Sequence, residues 1–238
     1  TAATDSLILA SAINDSLNLG TSVTISTSAA GGSAGNITVN ENISKTAGGN
    51  AALRLNAHGD ISIAAGKSIS SSMGKLDVTL VSDYDTSASG AIVMNTGSAI
   101  NSYGGNITFA GSSTGTSWAR GNATNPFGIT LSGASISAAG GDVTMYGMTD
   151  TFGSSVGHGV GITNSSVSTT GAGSISIQGY TNSSVALSSG VAVLGSTITG
   201  GSIGSTFIAG TNASTGNQNR SQGVWLDASS GLSSTINS

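Results

Sequence analysis

Apolar and polar residues alternate along this chain with a local period of two. Asn36-Ile37-Thr38-Val39, Ala52-Leu53-Arg54-Leu55, Asp60-Ile61-Ser62-Ile63 and Leu76-Asp77-Val78-Thr79-Leu80 each place an apolar side chain at every second position. Such alternation predicts short strands with one buried face. No window carries a helical stripe, so almost no helix is expected. Gly and Asn cluster between the strands, where tight turns need left-handed backbone.

The strands recur in threes. Strand a reads Ile92-Val93-Met94, Ile129-Thr130-Leu131, Val160-Gly161-Ile162, Val191-Ala192-Val193 and Val224-Trp225-Leu226. Strand b centres on Ile100, Ile136, Val167 and Ile198, which are 36, 31 and 31 positions apart. Strand c covers 107–109, 143–145, 175–177 and 206–208. A fixed period of this size predicts a stacked repeat architecture. The expected fold is all-β: a right-handed parallel β-helix of three-strand turns, with loop insertions at one corner. Equivalent residues of successive turns then stack about 4.8 Å apart, and the inward Ile, Val and Leu form the core.

The whole chain, 1–238, reads as one body. Residues 1–81 form plain short turns: Ile37, Ile43 and Leu53 mark one, and Ile61, Ile69 and 76–80 the next. The segment 7–25 looks like a further, less regular turn. Six turns and part of a seventh are expected. From residue 82 to 238 the turns lengthen, and the extra residues always lie after strand c and before the next strand a. These insertions are 82–90, 110–126, 146–159, 179–190 and 209–223. Equivalent positions of a solenoid leave it on the same edge, so the insertions should form a ridge. Such a face is often the binding face.

Composition narrows the function. The net charge is −4, and the six basic residues, among them Arg120 and Arg220, are scattered. No basic stripe is available for nucleic acid or for anionic lipid. No apolar run approaches the ~20 residues that span a bilayer, so no membrane insertion is expected. Cys is absent, which excludes disulfides and thiolate metal sites. The chain begins without Met and ends inside a repeat, and is read as a segment of a longer protein.

Three phrases carry a family resemblance: Gly-Asp-Ile-Ser-Ile-Ala-Ala-Gly at 59–66, Gly-Lys-Leu-Asp-Val-Thr-Leu at 74–80, and Ser-Ala-Ile-Asn-Ser-Tyr-Gly-Gly-Asn-Ile-Thr-Phe at 98–109. They resemble filamentous-haemagglutinin-like exoproteins, the large β-helical adhesins exported by two-partner secretion in Gram-negative bacteria. The resemblance extends from about residue 35 to the end and points to a segment of the repetitive shaft. It implies secretion, display at the cell surface, and attachment to host cells, other bacteria or matrix polysaccharide through a glycan or protein receptor. It also implies an outer-membrane secretion partner that engages a region outside this segment. It supplies no catalytic residue.

The candidate ligand-binding residues lie on the insertions. Trp118 and Arg120 belong to the longest, with Phe127 at its end, and Tyr180 and Arg220 to two others. Aromatic rings stack on sugar faces and anchor protein contacts, whereas the more common role of such a ring is to fold down over the base of its own loop. Asp83 and Asp85 read as a solvated pair, and Asp60 and Asp142 as corner residues that cap turns through their side chains. His58 and His158 are far apart in turn number and are read as lacking acidic or Cys companions, so neither is expected to act as a metal ligand or general base. No catalytic residue, metal or cofactor is expected. Two alternatives to the adhesin stand: a polysaccharide lyase or hydrolase, which needs converging carboxylates, and a structural spacer.

Overall fold

The computed structural model describes residues 6–28, 34–150, 156–214, 221–228 and 233–237. Three parallel sheets run its length, and the chain visits them in the order a, b, c in every turn. Sheet a stacks seven strands from Ile37–Val39 to Gln222–Asp227. Sheet b stacks seven from Ile43–Lys45 to Thr235–Asn237. Sheet c stacks seven from Val23–Ser26 to Thr206–Asn212 and adds an eighth short strand, Ala119–Arg120. The parallel β-helix of three-strand turns follows directly from the repeat.

The register is the one that the apolar ladder dictates. Ile69, Ile100, Ile136, Val167 and Ile198 are successive partners in sheet b, each at most 1% exposed. Leu53, Val78, Ile107, Val143 and Ile175 do the same in sheet c. Each inward side chain is covered by its counterpart one turn away, so shortening one leaves a void that neighbours cannot fill. An Ile-to-Ala change in such a site costs about 2–5 kcal/mol.

The corners are held by polar ladders. Before sheet c, the Asp77 carboxylate accepts from the Asn106 N–H at 2.7 Å. Asn106 Oδ1 accepts from the Asp142 N–H at 2.9 Å, and Asp142 Oδ1 from the Ser174 N–H at 2.8 Å. Before sheet a, Asn36 Oδ1 accepts from the Asp60 N–H at 2.8 Å, and Asp60 Oδ1 from the Ala91 N–H at 2.7 Å. The corner role expected of Asp60 and Asp142 is therefore present. These bonds satisfy amides that would otherwise be left open where the sheets break.

Two features depart from the sequence reading. The segment 7–25 is not a plain turn: it holds the helix Ala10–Asn18, followed by the sheet c strand Val23–Ser26. The helix occupies the sheet b position of that turn and buries Ile13 and Leu17, one helical turn apart. Asn14 Oδ1 accepts the Ser44 N–H at 2.8 Å, and Asn18 Oδ1 accepts those of Thr46 and Ala47 at 2.7 and 3.0 Å. Spaced four apart, the two amides face the open edge of sheet b and satisfy it. The second departure is Lys45, which is fully buried. Its ammonium donates to the carbonyls of Ala47 at 2.7 Å, Gly48 at 3.2 Å and Met73.

Candidate functional site

The insertions are not simple loops. In the later turns the sheet c strands run on past the core, through Val143–Thr149, Ile175–Thr181 and Thr206–Asn212. The extra residues stay in register: Gly147 with Gly179 and Gly210, and Met148 with Tyr180 and Thr211. Returning segments reach sheet a through Gly159, Gly190 and Gly223. Where the two directions meet, glycine faces glycine. A Cβ at Gly147 would lie 2.1 Å from the Gly159 carbonyl oxygen, and one at Gly179 only 1.9 Å from that of Gly190. At Gly210 the corresponding distance to the Gly223 oxygen is 1.8 Å. Only hydrogen fits, so the backbones pinch together and the insertions extend as a thin fin.

Beyond the pinch the fin has a polar interior. Thr149, Thr181, Ser183 and Ser188 are buried there, and His158 is buried beside them against sheet a. Ser188 Oγ donates to Ser183 Oγ at 3.1 Å and accepts from the Gly157 N–H at 3.1 Å. Asn212 Nδ2 donates to the Ser188 carbonyl at 2.9 Å, and Thr149 Oγ1 to that of Pro126. His158 Nδ1 accepts the Ser189 N–H at 3.1 Å. Burial lowers the His158 pKa to about 4, so the imidazole is neutral near pH 7.

The outer face of the fin gathers three of the five candidate residues. Tyr146 and Met148 alternate with inward positions on one strand, and Tyr180 lies beside Met148 on the next. Arg120 pairs with Met148 from the other side. Trp118 sits edge-on to Tyr146, with ring centroids 5.9 Å apart and planes at 83°. Trp118, Tyr146, Met148 and Tyr180 are all half-buried, each with part of its surface open. Arg120 is committed to Asp150, with Nη2 and Oδ2 3.0 Å apart.

Phe127 belongs elsewhere. Its ring covers Gly161 on the outside of sheet a, where a Cβ at Gly161 would lie 2.7 Å from Phe127 Cδ2. It meets the His158 ring at 4.6 Å, and His158 lies 6.1 Å from the Trp225 ring. Phe127 therefore cements the base of the fin to sheet a. Arg220 falls outside the described residues. Tyr146 and Met148 escaped the sequence reading. Their signal was the 32-residue step from Gly147 to Gly179, which continues the repeat into the insertions.

A second cluster forms around the first insertion. Asp83 is not solvated: it is 4% exposed, and its Oδ1 accepts from Ser87 Oγ and the Ser89 N–H, both at 3.2 Å. Desolvation raises its pKa against those hydrogen bonds. Asp85 faces outward and lies 3.4 Å from His58 Nδ1, so His58 has an acidic companion that its sequence neighbours do not reveal. Asp60 accepts from Asn122 Nδ2 through Oδ1 and from Asn125 Nδ2 through Oδ2, each at 2.7 Å. These partners lie 62 and 65 residues on, so the longest insertion reaches back and clasps an earlier corner. Among the described residues no group of three or more His, Asp and Glu is placed to hold a metal ion. No helix of the described residues is long and apolar enough to cross a membrane.

No family model, curated protein or solved structure matches the chain.

Proposed function

We propose that this chain is a shaft segment of a secreted bacterial adhesin of the filamentous-haemagglutinin type that its repeats resemble. The fin is its contact surface. On this reading the parent protein is displayed on a Gram-negative cell and exported through an outer-membrane partner that engages another region. The carrying observation is the shared face of Trp118, Tyr146, Met148 and Tyr180: two neighbouring strands of one sheet supply the last three, and Trp118 directly precedes a third strand of that sheet. Aromatic side chains held on a sheet lose little entropy on binding, and they suit sugar faces and protein hot spots alike. Low charge, 7% of residues, favours stacking and hydrogen bonding over electrostatic capture.

Binding of the labelled chain to intact cells and to a glycan array tests this. Trp118→Ala with Tyr180→Ala should reduce binding by about tenfold or more without changing the thermal midpoint by more than a few degrees. Full retention by this double variant would favour a spacer.

A further inference from the structure

The cleft between the first insertion and the longest one shares no residue with the aromatic face of the fin or with the apolar core. Three separate turns build it: the Gly59-Asp60 corner, the loop carrying Asp85 and Ser87, and the Asn122–Thr124 stretch that is tied down on Asp60. It is an open cleft of about 540 Å³, a size suited to a small ligand. Its polar lining includes His58, Asp60, Asp85, Ser87, Asn122 and Thr124, and among the described residues its only aliphatic side chains are alanines. Hydroxyls that can both donate and accept, set beside the outward Asp85 carboxylate, match a polyol rather than an apolar ligand. Among the described residues neither Lys nor Arg lines it, so none of them would neutralise an acidic sugar.

The walls are fixed before any ligand arrives. The Asp60 carboxylate is held by Ala91, Asn122 and Asn125. Gly59 admits no side chain, because a Cβ would lie 2.1 Å from Asn36 Oδ1. The Asp85 carboxylate is the exposed charge at the mouth, with the His58 ring behind it. A cleft set in this way binds without the ordering cost of a mobile loop.

We propose that this cleft binds an oligosaccharide of amino sugars that carry free ammonium groups. Asp85 receives the ammonium, while Thr124, Ser87 and the remaining acceptor capacity of Asp60 receive hydroxyls. The site is separate from the aromatic face of the fin and does not depend on it.

Calorimetric titration of the full chain with a glucosamine tetramer and with its fully N-acetylated counterpart tests the assignment. The glucosamine tetramer should bind at least about tenfold more tightly. Asp85→Asn should weaken that binding by about tenfold, and Ala123→Arg, which puts a cation into the cleft, should abolish it. Trp118→Ala and Glu41→Gln should leave it unchanged, the latter removing a carboxylate that pairs with Lys67 elsewhere. Melting curves confirm that each variant is folded, and Ala123→Arg decides the matter if Asp85→Asn is not. Equal affinity for the two tetramers, absence of binding, or equal losses in Asp85→Asn and Glu41→Gln would overturn the proposal. Loss in Trp118→Ala alone would assign the sugar to the fin instead.

Discussion

Gly179 and Gly190 touch backbone to backbone: a methyl group on Gly179 would lie 1.9 Å from the Gly190 carbonyl oxygen. The contact recurs one turn in either direction and is what allows the insertions to stand out as a fin. Gly179→Ala should therefore destabilise the protein by more than about 3 kcal/mol or abolish folding, since neither backbone can retreat from its ladder. Gly49→Ala, where no atom lies within 4 Å, is the control and should change stability by less than about 0.5 kcal/mol. Denaturant titration of both variants measures the contrast.

Lys45 acts as a corner clamp. Its side chain is fully buried, and its ammonium serves the carbonyls of three exposed corner residues, Ala47, Gly48 and Met73. Lys45→Met keeps the volume and removes the donors, and should cost about 1–3 kcal/mol in chemical denaturation. A neutral result would show that these carbonyls find other partners.

His158 makes stability depend on pH. Its folded pKa is about 4 against an ordinary 6.5, so between those values the unfolded chain binds more protons. Its contribution is complete above about pH 6.5 and is lost as pH falls towards 4, with at most about 3 kcal/mol at stake. Asp83 acts in the opposite sense, because its raised pKa returns stability on acidification. His158→Gln isolates the histidine: the difference between its unfolding free energy and that of the wild type should change across this window and be flat above it.

Asp60 fastens the longest insertion. Asp60→Ala removes the acceptor shared by Asn122 and Asn125 and should free the 121–126 segment. Hydrogen exchange there should lose about tenfold or more in protection, while the sheet b amides of 135–137 keep theirs. Uniform loss in both regions would mean that Asp60 supports the whole solenoid.

Much of this was legible in the chain. The ladder from Ile100 to Ile198 gave the register, because steps of 36, 31 and 31 stack Ile100, Ile136, Val167 and Ile198 on one another with all four inward. The helix was not legible: it buries only Ile13 and Leu17, too short a stripe to stand out from alternation. Lys45 occupies an inward position that hydropathy assigns to solvent, and its carbonyl partners come from the folded corner. The pairing of His58 with Asp85 joins adjacent turns, and it becomes visible only once the register places the first insertion over the residue 57–60 corner. Within the insertions the signal was carried by glycines, which lack the side chains that periodicity counts. The shared face of Trp118, Arg120 and Tyr180 emerged once those glycines were set in register, and the same register leaves Phe127 on sheet a.

The measurement that bears most directly on the function is cell binding by two double variants of equal stability. One removes Trp118 and Tyr180 from the fin, and the other changes Ser137 and Ser168 to Ala on the outer face of sheet b. We expect binding to fall by about tenfold in the first and to hold in the second. Equal binding by both would contradict a contact surface on the fin.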